Sequence, residues 1–88
     1  MLRSAAPVVY DVRMITPAQC RAARGLLQWT REQLAKESGL SVTTVTAFEL
    51  ESRQSSRTTI AQLTGALEAA GIAFAFNNNR EAGVSLRK

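Results

Sequence analysis

A chain of 88 residues without one histidine offers little to covalent catalysis. The commonest general base and the commonest zinc ligand are both missing. The one thiol, Cys20, can form neither an intramolecular disulfide nor a cysteine-rich zinc site. Carboxylates are not clustered and no glycine loop stands ready to cradle phosphate, so no enzymatic activity, cofactor or metal is expected. Only Arg21 lies beside Cys20 to lower its pKa, and the thiol reads as a small core residue, not a redox sensor. What remains is non-covalent. A short run of hydroxyl- and methyl-bearing side chains, Val42-Thr43-Thr44-Val45-Thr46-Ala47, has basic residues on either side of it at Arg31, Arg53 and Arg57. Three threonines so close together are poor helix formers, so propensity alone does not explain them.

Composition limits what can hold these groups. Apolar residues make up 45% of the chain, enough for one small core, and the length leaves little room for a second domain. Without disulfide or metal, stability must come from packed helices and strands, and a reducing compartment, the cytoplasm, suits such a chain. The longest apolar stretch, Gly71–Phe76, is far too short to cross a bilayer, and the first residues lack the apolar segment of a secretory signal. No membrane association is expected.

Helix starts are legible. Thr16-Pro17-Ala18-Gln19 places Thr at N-cap, Pro at N1 and Gln at N3, a capping box, and Thr30-Arg31-Glu32-Gln33 repeats the spacing. Ser41 can cap a third helix, and Ser55 or Ser56 a fourth that Gly71 closes. Cys20, Ala23 and Leu27 share one face of the first helix, and Ile60, Leu63, Leu67 and Ala70 one face of the fourth. Beyond it, Ile72, Phe74 and Phe76 alternate with alanines, Asn77-Asn78-Asn79 supplies a turn, and Gly83–Leu86 can return, which predicts a β-hairpin over 72–86. Trp29 reads as a packing residue at the helix junction.

Two short helices crossing steeply make particular demands on Arg31–Leu50. The first needs a small residue at the crossing, which Ala35 supplies, and the turn needs a residue at ease with a left-handed backbone, which Gly39 supplies. Val45 and Phe48 then point inward with Leu34 and Leu40. The opposite face shows Val42, Thr43, Thr46 and Ala47, with nothing obvious to bury against.

On Ala35, Gly39, Val45 and Phe48, the segment resembles the helix-turn-helix of Cro and phage-repressor-like regulators, the xenobiotic-response-element type. Thr30 stands where that family commonly has a Thr-Gln pair, with Arg31 in the Gln position. Glu49 matches a family glutamate that pairs with an arginine of the first helix, and Arg24 stands at the matching place. The resemblance covers about residues 16–70. The terminal Val84-Ser85-Leu86-Arg87-Lys88 is similar to short bacterial members that end in a β-strand and a basic sequence.

The resemblance implies that helix 42–50 lies in the DNA major groove while helix 31–38 crosses the backbone. Thr43, Thr46 and Ala47 would face base edges with Val42 beside them, and Thr44 would join them among the DNA-binding residues. Hydroxyls can serve either base, and methyls suit the thymine methyl group. Thr30 and Arg31, at the start of helix 31–38, would hold one phosphate, and Arg53 and Arg57 the next along. The sequence departs from the family's habits at two points. No Arg, Lys, Asn or Gln lies between Val42 and Phe48, so direct readout should be modest and methyl contacts and shape should weigh more. And Glu51 stands where many relatives close the helix with Gly.

From Pro17 to Arg57 six basic residues face four acidic ones, a net of +2, so one copy should bind DNA weakly, at the ~10⁻⁴–10⁻⁶ M typical of non-specific binding. A two-fold homodimer spanning half-sites about 34 Å apart would remedy this. The hairpin, marginal alone, is the candidate contact.

The expected architecture is mainly α: a lambda-repressor-like bundle of four helices over 16–71, a β-hairpin over 72–88 as dimerisation element, and an extension or arm over 1–15. Met14-Ile15-Thr16-Pro17 looks like a natural beginning for short family members, which makes 1–13 an upstream extension. The rival reading is a strand at Val8–Val12 that joins the hairpin. The expected role is a small transcriptional regulator binding double-stranded DNA. One alternative is an antitoxin whose arm or hairpin binds a toxin. The other is an adaptor that bridges regulators to the transcription machinery with little DNA contact.

Overall fold

The computed structural model describes residues 14–76 and 82–87. The expected extension over 1–13, the strand at Val8–Val12 and the turn at Asn77–Asn79 lie outside the described residues. Within them the chain forms α1 (Pro17–Leu27), α2 (Arg31–Ser38), α3 (Val42–Leu50), α4 (Arg57–Ala69), β1 (Ile72–Phe76) and β2 (Ala82–Leu86).

The caps form as their residue types require. Thr16 accepts from the Gln19 backbone N–H at 3.1 Å while the Gln19 Oε1 accepts from the Thr16 N–H at 2.9 Å, completing the box. Thr30 likewise accepts from the Gln33 N–H, but Gln33 does not reach back. Its Nε2 donates to Glu37 one turn on, at 2.9 Å, so this second box is only half closed. Ser41 and Ser56 cap α3 and α4 through the N–H groups of Thr44 and Thr59. Gly39 closes α2 in the left-handed region at φ 76°, and Gly71 follows α4 at φ 108°. Two non-glycine residues also adopt positive φ at helix ends: Gln28 after α1, at 59°, and Glu51 after α3, at 56°.

The core sits among α1, α2, α3 and α4. Cys20, Ala23, Leu34, Val45, Leu63 and Leu67 are fully buried, with Ala35 and Phe48 nearly so, and Leu27, Leu40 and Ile60 partly buried against them. Ile15, just before α1, is buried too. Gln62 of α4 donates to the Ser38 carbonyl at 3.3 Å and pins the end of α2.

β1 and β2 pair antiparallel, Ile72 opposite Leu86 and Phe76 opposite Ala82, as the alternation predicts. The large residues Ile72, Phe74, Val84 and Leu86 pack on the helical body, which answers the hairpin's marginality. Gln19, 3% exposed, adds a polar tether: its Nε2 donates to the carbonyls of Gly83 at 3.1 Å and Ala75 at 3.4 Å. One side chain thus caps α1 and fixes the hairpin to it.

Candidate nucleic-acid interface

Two contacts set the attitude of α3. Ala35, 4% exposed, lets α3 approach α2, and the left-handed Gly39 turns the chain between them. Val45 and Phe48 then point into the core with Leu34 and Leu40.

Glu49 supplies the second hold. Its carboxylate is wholly buried, and Arg24 of α1 grips it with two bonds, Nε to Oε2 at 2.6 Å and Nη2 to Oε1 at 2.7 Å. Arg31 adds Nε to Oε1 at 3.0 Å, and Cys20 donates its Sγ–H to Oε2 at 3.2 Å. Arg21 donates to the Glu49 backbone carbonyl, and the Arg24 Nη1 reaches the Trp29 carbonyl at 3.0 Å. Burial opposes ionisation of Glu49 more than any other single influence. The hydrogen bonds from Arg24, Arg31 and Cys20, with the positive charge of Arg24, outweigh it and hold the carboxyl below its ordinary range. Burial first, then the bond to Glu49 and the carboxylate's charge, push the Cys20 thiol far up, so it is an inert thiol within the clamp.

The outward side of α3 is open. Val42, 37% exposed, Thr43 and Thr46 line an open concavity of about 420 Å³ with Ala47, Ser52 and Arg53. Ala47 differs from the expectation of a free side chain. It keeps only 7% of its surface and forms part of the concavity's lining. Thr44 is turned aside: its Oγ1 lies 2.9 Å from the Ser41 Oγ, and it does not line the concavity. Arg53 also lines a smaller hollow of about 290 Å³ with Pro17, Phe48, Glu51, Gln54 and Ser55. Arg57 begins α4, exposed, and lies outside both linings.

Three features escape reading from the sequence. Arg31 is held by Glu49 and still keeps 32% of its side chain in solvent, a clamp member as well as a surface cation. Leu50, 58% exposed, follows Thr43 and Thr46 at helical spacing, i+7 and i+4, a signal that would have added it to the outward face. Cys20 sits one turn before Arg24 on the buried side of α1, which places both on Glu49.

Two helices joined through a left-handed glycine, the second anchored by a buried carboxylate and bare on its far side, define a helix-turn-helix DNA-binding domain. A helix-turn-helix family model matches residues 21–69, more than half of the chain. The chain belongs to this family, the Cro/repressor-like, XRE-type regulators, and is a DNA-binding transcriptional regulator by that membership. No curated protein matches it. No helix among the described residues is long and apolar enough to cross a membrane.

Proposed function

We propose that the protein binds double-stranded DNA in a sequence-dependent manner, working in the cytoplasm with α3 laid in the major groove. The observation that carries this reading is the concavity itself: Val42, Thr43, Thr46 and Ala47 share it with Arg53, so base-facing groups and a phosphate-seeking cation border one space. Val42, Thr43 and Thr46 meet base edges. Leu50 extends the contact at the C-terminal end of α3. The start of α2, with Thr30 and the exposed part of Arg31, holds a backbone phosphate, and Arg53 and Arg57 hold the following ones. Thr44 serves the cap of α3 and touches DNA little.

The protein acts as a homodimer on two half-sites, since a net charge of +4 over the whole chain supports few phosphate contacts per copy. The hairpin supplies the contact between copies through its backbone edge, since Ile72, Phe74, Val84 and Leu86 are spent on the helical body. Sedimentation with and without DNA at tens of micromolar tests this, and a monomer under both conditions removes the dimer.

Selection from a pool of random duplexes, followed by salt titration of the best binder, tests the function itself. A DNA reader recovers a common site and shows log K falling linearly with log salt. A protein adaptor recovers no site.

A further inference from the structure

The outward face of α3 has an unusual chemistry for a surface that meets base pairs. Val42, Thr43, Thr46 and Ala47 line it, and Leu50 continues it one turn on. All five side chains present methyl groups. The other lining residues, Ser52 and Arg53, come from the loop after α3, and no Arg, Lys, Asn or Gln lies on the helix between Val42 and Phe48. Purine edges in the major groove offer N7 and O6 acceptors or an N6 donor, which the methyls leave unpaired at a cost and only the hydroxyls of Thr43 and Thr46 could meet. The feature such a surface complements is the C5-methyl group of a pyrimidine, the one apolar projection in that groove.

We infer that the protein selects its DNA by pyrimidine C5-methyl groups, packing Val42, Thr43, Thr46 and Leu50 against thymine methyls, and that 5-methylcytosine can replace thymine in that contact. This deepens the proposed function and rests on it. Thymine and 5-methylcytosine carry the methyl on the same ring carbon, so both project it to the same place in the groove. Arg53 sits in the same concavity, suited to hold the neighbouring phosphate while the methyl surface meets the base edges.

The test uses the full chain and the best duplex recovered from a random pool. Thymines of the half-site are replaced one at a time by deoxyuridine, which removes only the methyl. Each contacted methyl should be worth about fourfold in Kd, from the free energy of taking one methyl out of water. Replacing the same thymine by cytosine should weaken binding, and 5-methylcytosine should recover about the same fourfold. On the protein side, Thr46→Ser should shrink the thymine-over-uracil ratio, whereas Thr46→Val, which keeps the methyl and loses the hydroxyl, should preserve it. Duplexes bound equally well with thymine and uracil overturn the inference and leave DNA binding intact. A ratio that survives in Thr46→Ser and disappears in Thr46→Val also overturns it, assigning the contact to the hydroxyl. A pool that yields no bound duplex overturns the DNA-binding reading and this inference with it.

Discussion

Arg24 and Glu49 form a bidentate pair, 2.6 and 2.7 Å across its two bonds, that ties α1 to the buried side of the last turn of α3. The pair does more than join two helices. Glu49 is buried about 120° round α3 from Thr43, so the hold on its carboxylate fixes how far the threonine face is rotated outward. Buried pairs of this kind contribute little net stability compared with an apolar replacement, and their value lies in the arrangement they specify.

Removing one partner is a different matter, because the other charge stays buried. Arg24→Ala should lower the unfolding free energy by about 3 kcal/mol, the lower end of the range for a broken buried pair, since Arg31 still reaches the carboxylate. Urea unfolding of the variant measures this. A loss below about 1 kcal/mol would place the pair among ordinary surface contacts.

The same carboxylate sets an acid limit. Glu49 is held below its unfolded value of 4.5, so the unfolded chain takes up its proton first as pH falls. The stabilisation is complete above that value and is lost as pH falls further, through the folded pKa. Tm followed from pH 7 down to 3 should drop in the wild type once the pH passes below the unfolded value. Glu49→Gln, less stable at neutral pH, should show a shallower fall, and parallel curves would count against the clamp.

Glu51 ends α3 at φ 56°, a conformation that costs a residue with a Cβ and that glycine adopts freely. Glu51→Gly should stabilise the fold by about 0.5–1 kcal/mol, the relief of left-handed strain less the extra freedom of glycine in the unfolded chain. Thermal unfolding checks the sign, and a lower Tm would mean that the Glu51 side chain contributes more than its backbone strain costs.

Arg53 and the threonines should separate by the kind of defect they give. Arg53→Ala should weaken binding to every duplex alike and reduce the salt slope by about one. Thr43→Ala with Thr46→Ala should change which sequences are preferred while leaving the salt slope unchanged. Competition binding against a panel of duplexes at several salt concentrations resolves the two patterns.

Much of this arrangement was legible because local rules decide it. Thr16, Thr30, Ser41 and Ser56 cap helices wherever the backbone offers orphan N–H groups, and Gly39 is needed wherever a short turn enters the left-handed region. The alternation of Ile72, Phe74 and Phe76 likewise fixes a strand and its partner. What escaped depends on competition or on distance. Gln33 has the same spacing from its cap as Gln19, yet its amide N–H donates forward to Glu37 one turn on, which turns the side chain away from the Thr30 N–H that its oxygen would accept in a closed box. Gln19 bonds a carbonyl 64 positions away, which no local pattern announces. The second role of Arg31 was hidden because nothing in the sequence shows that α3 brings Glu49 within 3.0 Å of it.

The face presented by α3 can be observed in solution by backbone amide NMR of the protein titrated with the selected duplex. Shifts should concentrate at Val42, Thr43, Thr46, Ala47, Ser52 and Arg53, with a second group at Thr30 and Arg31. Stationary signals along α3, with the duplex perturbing another surface, would contradict the assignment of Thr43 and Thr46 to the groove.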